Sequence, residues 1–152
     1  MKNDSLAFGC EGSEIFEMII DARKEFLILL DMSVGIMYKK FSTSKICAKI
    51  LSLEKKLKEP NLKAFNYEEQ RTLEAKINTC FSSFIGNLKK YCPYLTKKEI
   101  FICCLFLHFQ PLTISLCMGY NNTDCIKAHK SRIKKKMTEL SNHDFLFSFL
   151  FK

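Results

Sequence analysis

The sequence lacks the features that mark membrane and secreted proteins. Charged residues interrupt even its most apolar early stretch, from Ile15 to Tyr38, so that no run of about 20 apolar residues is left to span a membrane. The first residues, Met1 to Ser5, carry neither the apolar run nor the small-residue cleavage site of a secretory signal. We therefore expect a cytoplasmic protein without a membrane span.

Motifs of catalysis and metal binding are also missing. The eight cysteines include no C-x-x-C pair, and the three histidines have no H-E-x-x-H context. There is no glycine-rich phosphate loop and no G-x-S-x-G motif. Because free cysteine behaves as a small apolar residue when buried, we interpret the cysteines as reduced core thiols. We expect no enzymatic activity, no catalytic residue, no metal site and no cofactor.

Positive charge is concentrated in the last third of the chain. The formal net charge is +8. From Thr96 to Lys152 nine basic residues stand against four acidic ones, and six of the nine lie between Thr123 and Met137. Cations focused on one segment attract a polyanion, so the C-terminal third is where such a partner is expected to bind.

Apolar residues at spacings of three and four predict helices in the first 92 residues. A first helix runs from about Ser13 to Leu30, a helix with a break covers Asp31 to Phe41, and a third segment ends at Pro60. A further helix begins near Asn66, which is predicted to form a capping box with Glu69. Its apolar stripe is coiled-coil-like: Leu73, Ile77, Cys80, Phe84, Leu88 and Tyr91. Residues 1–92 are therefore predicted to be a helical, coiled-coil-like bundle that serves as linker and dimerisation region, giving a homodimer.

Residues 93–152 are predicted to form four more helices, which makes the whole chain all-α. Thr96 and Glu99 form a capping box before a helix that is apolar nearly all round. Pro111 opens a short helix that ends at Gly119. A longer basic helix follows from about Thr123 to Leu140, and a short apolar helix covers the tail from Phe145 to Phe151. A short helix, a glycine turn and a longer basic helix are the parts of a helix-turn-helix domain.

The helix Thr123 to Leu140 divides into a packing face and a basic face. At 100° per residue, one face holds Ile126, Ile133, Met137 and Leu140, and the opposite face is polar. We expect the polar face to lie in the major groove of double-stranded DNA, with the first half reading bases and the later cations holding phosphates. The predicted DNA-contacting residues are Asp124, Lys127, Ala128, Lys130, Ser131, Arg132, Lys134, Lys135 and Lys136.

Three segments resemble LuxR-type (GerE-like) transcription regulators. These are Tyr-Cys-Pro-Tyr-Leu-Thr at 91–96, Glu-Ile-Phe-Ile-Cys-Cys-Leu at 99–105 and His-Lys-Ser-Arg-Ile-Lys-Lys-Lys-Met at 129–137. Ser33 to Phe41, which includes Met-Tyr-Lys-Lys-Phe at 37–41, resembles part of the helical, coiled-coil-prone linker that precedes the domain in one bacterial group. The resemblance implies transcription regulation through sequence-specific DNA binding. The chain departs from the family pattern at Ser115, where alanine is usual, and in a turn that is one residue longer.

A second function is compatible with the same sequence. A degenerate helix-turn-helix could serve as a non-catalytic interaction module that binds another regulator or a sigma factor. The two functions differ in their dependence on salt, because DNA binding through several phosphates weakens steeply as salt rises.

Overall fold

The computed structural model of the protein describes residues 33–140 and 144–151. Ser33–Lys152 form one compact unit. All regular elements in the described ranges are helices, which confirms the all-α prediction for them. The first predicted helix, Ser13 to Leu30, lies outside the described residues.

The helices follow one another with short connections. Residues 33–41 form α1, followed by α2 (Lys45–Lys55), α3 (Tyr67–Cys80) and α4 (Ser82–Tyr91). The C-terminal elements are α5 (Lys97–Phe106), α6 (Pro111–Cys117), α7 (Asp124–Lys135), a π-helical turn (Lys136–Leu140) that continues α7, and α8 (Asp144–Leu150). None of the helices within the described ranges is long and apolar enough to cross a membrane.

Both predicted capping boxes are present. The Asn66 side chain accepts a hydrogen bond from the Glu69 backbone at 2.9 Å, and the Glu69 carboxylate accepts one from the Asn66 backbone at 3.0 Å. Thr96 and Glu99 make the equivalent pair at the start of α5, at 3.1 and 2.8 Å. Each box satisfies two backbone N–H groups near a helix terminus. Helix starts at Tyr67 and Lys97 are therefore fixed by local sequence.

The apolar stripe predicted from Asn66 to Tyr91 lies on two helices instead of one. Phe81 leaves the helical conformation (φ −109°, ψ 22°) and separates α3 from α4. Its ring is buried, with its centroid 5.8 Å from that of Phe41 on α1. The stripe residues Leu73, Ile77, Cys80, Phe84 and Leu88 are all buried within this chain. The stripe therefore packs into the core of a single subunit and is not exposed for a coiled coil with a second one.

Helix α6 is held at both ends by residues that precede it by about 50 positions. The Glu54 carboxylate on α2 accepts hydrogen bonds from the Gln110 backbone N–H at 3.3 Å and from the Thr113 hydroxyl at 3.0 Å. At the other end, the Leu116 carbonyl accepts from the Phe65 backbone N–H at 2.8 Å. The upstream helices thus provide partners for polar groups of α6 that a helix-turn-helix would otherwise leave to water.

The compact unit continues across Pro93, the boundary between the two predicted domains. Helices α2 and α3 pack on α6 and α5, respectively. Ser33 to Cys92 therefore belong to the same folded body as the residues after them. The assignment of dimerisation to 1–92 and of DNA binding to 93–152 stays a prediction.

Most of the described cysteines are core residues, as predicted. Cys47, Cys80, Cys92, Cys103, Cys104 and Cys117 are buried and unoxidised. Burial raises the pKa of the Cys103 and Cys104 thiols and raises that of Cys117 to about 12. These groups therefore stay protonated at neutral pH. Cys125 departs from the prediction, because it is exposed near the start of α7.

Candidate nucleic-acid interface

The turn between α6 and α7 is closed by glycine, as the sequence predicts. Gly119 has a φ of +84°. Its N–H donates to the Leu116 carbonyl at 3.1 Å, and the Tyr120 N–H donates to the Ser115 carbonyl at 2.8 Å. This pair of bonds is the Schellman arrangement that ends many helices, and it requires a left-handed residue at the glycine position. The chain thereby reverses sharply into α7.

A side chain at this position would also have to displace that of Gln70. A Cβ atom built on Gly119 would lie 2.6 Å from Nε2 of Gln70 on α3. That amide donates to the Phe65 carbonyl at 2.9 Å. Helix α3 therefore packs directly against the corner between α6 and α7.

Helix α7 begins at Asp124 with a local side-chain bond. The Asn122 side chain accepts from the Asp124 backbone N–H at 2.9 Å, whereas Thr123 makes no side-chain cap. Asp124 itself is exposed in the first turn, where a carboxylate is stabilised by the helix dipole. The start of α7 is therefore stabilised by the Asn122 side chain.

The packing face of α7 contains three of the four predicted residues. Ile126, Ile133 and Met137 are buried, with at most 1% of their surface exposed. Leu140 is 52% exposed, so its predicted place on this face is wrong. The prediction assumed 100° per residue, but residues 136–140 form a wider π-helical turn that carries Leu140 away from the core.

The opposite face of α7 is free of other parts of the described chain. It presents two lysines, one carboxylate and two short side chains, and all five residues are exposed: Asp124, Lys127, Ala128, Ser131 and Lys135. Short side chains along its centre would let the helix backbone approach a flat or grooved surface closely. The structure thus brings these five predicted site residues onto one accessible stripe.

The lysines on one flank of α7 contact aromatic rings near the C-terminus of the chain. Lys130 Nζ lies 5.5 Å from the ring centroid of Phe151, and Lys134 Nζ lies 5.8 Å from that of Phe147. The two phenyl rings are 4.6 Å apart and stack on each other. Cations this close to a ring face are attracted by its quadrupole. The rings therefore hold both ammonium groups along the edge of the exposed stripe.

On the other flank, three polar side chains contact one another in series. The Tyr120 hydroxyl lies 3.4 Å from Nε2 of His129, and Nδ1 of His129 lies 3.0 Å from the Arg132 guanidinium. Lys98 Nζ, from the first turn of α5, lies 5.7 Å from the centroid of the Tyr120 ring. Burial, followed by the positive charges of Arg132 and Lys98, lowers the pKa of His129. This flank therefore combines Lys98 and Arg132 around a neutral imidazole.

Lys136 points away from the stripe, into the domain. Its Nζ lies 2.6 Å from Oε1 of Glu99, whose side chain is 4% exposed. Burial alone would raise the pKa of Glu99, but the hydrogen bonds from Lys136 and from the Thr96 backbone lower it overall. Glu99 therefore caps α5 and anchors the end of α7 at the same time. The Lys136 ammonium is committed to this ion pair, so we leave it out of the proposed DNA-contacting set.

The sequence prediction omitted Lys98 and Tyr120. Neither is on the basic helix, and only the packing of α5 and the turn brings them to its flank. The sequence does indicate part of this flank, because His129 and Arg132 are three residues apart and share one side of a helix.

No family model, curated protein or solved structure matches the chain. The LuxR-type resemblance therefore depends on the segments quoted above.

Proposed function

We propose that the protein is a sequence-specific transcription regulator of the LuxR type that inserts α7 into the major groove of double-stranded DNA. The observation that carries the proposal is the exposed stripe of α7, with short side chains at its centre and cations on both edges, presented after a glycine turn. Recognition helices of helix-turn-helix proteins present such a face to the groove.

The two flanks provide the positive charge that phosphates require. Lys130 and Lys134 lie on the α8 side, whereas Lys98 and Arg132 lie on the α5 side. A helix in the major groove has a sugar–phosphate backbone on each side, so cations on both edges match that arrangement. Between them Lys127, Ala128 and Ser131 face the base edges in our proposal.

We further propose that the regulator acts in the cytoplasm as a homodimer through its N-terminal helices. The stripe on α3 and α4 is buried in the core, so it does not supply the contact between subunits. Ile36 on α1 is 72% exposed and belongs to the part of the N-terminal region that remains accessible. A palindromic binding site would support a twofold dimer, because the symmetry of an operator follows that of its protein.

Selection of bound sites from random duplexes at physiological salt tests the proposed function. We expect an enriched motif. With Lys127 assigned to the bases, the five other cations on or beside the stripe predict that log affinity falls with log salt at a slope of about −4 to −5. Weak binding with a flat salt response would refute DNA binding and favour the protein-interaction module instead.

Lys127 and Lys135 provide a matched pair for separating base recognition from phosphate contact. Both are exposed, but Lys127 is in the first turn of α7 and Lys135 is at its end. We expect Lys127→Ala to cost about 1–3 kcal/mol on the selected site and to relax its specificity. Lys135→Ala should weaken binding to all duplexes alike and reduce the slope of log affinity against log salt by about one. Equal losses on selected and random duplexes in both variants would contradict the groove assignment.

A further inference from the structure

The two contacts of the His129 ring determine its protonation state. Arginine has only donors, so the Arg132 guanidinium must donate to a lone pair on Nδ1. Nδ1 is therefore unprotonated, and the single ring proton is on Nε2, which faces the Tyr120 hydroxyl at 3.4 Å. Only the neutral Nε2–H form of the imidazole satisfies both contacts.

We infer that His129 is a positioning residue that, in this neutral form, holds the Arg132 guanidinium at the edge of the α7 stripe for a phosphate of the duplex. The inference rests on the proposed DNA-binding function. His129 is half-buried and bears no charge of its own in this state, whereas Arg132 is exposed and free to present its remaining N–H groups. A long side chain that is already ordered loses less conformational entropy on binding than a free one.

Protonation of His129 would break the arrangement. A proton on Nδ1 would point at the Arg132 guanidinium and place two like charges in contact. The groups that face the ring are Arg132 on α7, Lys98 and Glu99 on α5, and the Tyr120 hydroxyl in the turn. Burial and the charges of Arg132 and Lys98 lower the pKa, with Glu99 opposing, so the neutral form persists below the ordinary value of 6.5. Release of Arg132 is therefore expected only under acidic conditions.

Two amide substitutions separate the contacts. In His129→Asn the amide oxygen can take the place of Nδ1 as acceptor, and the side chain cannot be protonated. In His129→Gln the amide reaches the position of Nε2 and leaves Arg132 without an acceptor. We expect His129→Asn to bind a fluorescent random-sequence duplex as the wild type does at pH 7.5, and His129→Gln to bind about threefold to tenfold more weakly, which is the effect of one ordinary hydrogen bond.

The pH profile of affinity, measured on the full chain at constant ionic strength, distinguishes positioning from a merely structural role. Wild-type affinity should fall on acidification once the pH is below the ordinary histidine value of about 6.5, whereas that of His129→Asn should fall less, because the asparagine side chain cannot take up a proton. Lys135→Ala should bind more weakly but keep the wild-type pH profile. Parallel profiles for wild type and His129→Asn would overturn the inference. So would a wild-type affinity that rises on acidification through His129, since the imidazolium would then contact phosphate itself.

Nuclear magnetic resonance of the free protein keeps this test separate from the proposed function. The ¹⁵N shifts of the His129 ring should show a protonated Nε2 and an unprotonated Nδ1 at pH 7.5. If the wild type binds no duplex, DNA binding fails, whereas this tautomer would still support the link between His129 and Arg132. The opposite tautomer would overturn the link even if DNA binding is strong.

Discussion

The ion pair between Lys136 and Glu99 makes a quantitative prediction, because sequence and structure assign Lys136 different roles. The Glu99 side chain is 4% exposed and that of Lys136 is 24% exposed. In Lys136→Met the methionine fills similar space, but a buried carboxylate loses its cation and keeps only its hydrogen bonds with Thr96. Removal of one partner of a buried pair costs about 3–5 kcal/mol, and the partial exposure of Lys136 places this case near 3.

The reverse substitution should cost less. In Glu99→Gln the amide oxygen can still accept from the Thr96 backbone, so the capping box survives, and the Lys136 ammonium can turn toward water. We expect about 1 kcal/mol for this change, the size of one ordinary hydrogen bond. The asymmetry between the two variants is the signature of a pair in which only the carboxylate is deeply buried.

Urea unfolding followed by circular dichroism measures these free energies, and Lys135→Met is the matched control. Lys135 is adjacent but exposed, so its replacement should change stability by less than about 0.5 kcal/mol. The pKa of Glu99 is lowered in the folded protein, so its stabilising contribution is complete above the unfolded value of 4.5 and is lost as pH falls through the folded value. The difference in the free energy of unfolding between wild type and Lys136→Met should therefore become smaller on acidification. A Lys136→Met variant as stable as Lys135→Met would refute the ion pair.

Two further predictions concern the corner between α6 and α7 and the residues that support it. Gly119→Ala should destabilise the fold by about 1–2 kcal/mol, because φ is +84° and the Gln70 side chain occupies the space of the new methyl group. Gly86→Ala, in open space on α4, should instead stabilise it by about 0.5–1 kcal/mol. Thermal unfolding compares the two variants, and equal effects would show that the backbone at Gly119 does not require glycine. Glu54→Ala should lower the free energy of unfolding by about 1–2 kcal/mol and weaken duplex binding, because α6 loses its contact with α2. Replacement of the exposed Glu59 by alanine should do neither. An unchanged melting temperature in Glu54→Ala would rule out its capping role.

Features encoded within a few residues could be predicted from the sequence. The capping boxes at Asn66 and Thr96, the proline that opens α6 and the glycine that closes it all depend on short-range backbone chemistry. The inner face of α7 followed from helical periodicity as far as Met137. The prediction failed at Leu140, because periodicity assumes a uniform helix and residues 136–140 are π-helical.

Pairings between distant residues could not be predicted in this way. Glu54 and Thr113 are 59 positions apart, and Glu99 and Lys136 are 37 apart. Nothing in the local pattern around Glu54 distinguishes it from Glu59, yet the first caps α6 and the second is exposed. The choice depends on how α2 packs against α6, which is a property of the whole core. The stripe from Asn66 to Tyr91 was predicted on one continuous helix, because its spacing alone does not show that Phe81 ends α3.

The last prediction concerns the lysines of α7, which the sequence presents as equivalent phosphate contacts. Lys134 stands at the edge of the stripe over the Phe147 ring, whereas Lys136 is bound to Glu99. Each phosphate contact contributes about −0.9 to the slope of log affinity against log salt. At a temperature where both variants are fully folded, Lys134→Met should therefore shallow the slope by about one, and Lys136→Met should leave it unchanged. A slope that becomes shallower by the same amount in both variants would mean that Lys136 leaves Glu99 for the phosphate when DNA binds, at the cost of a buried carboxylate without its cation.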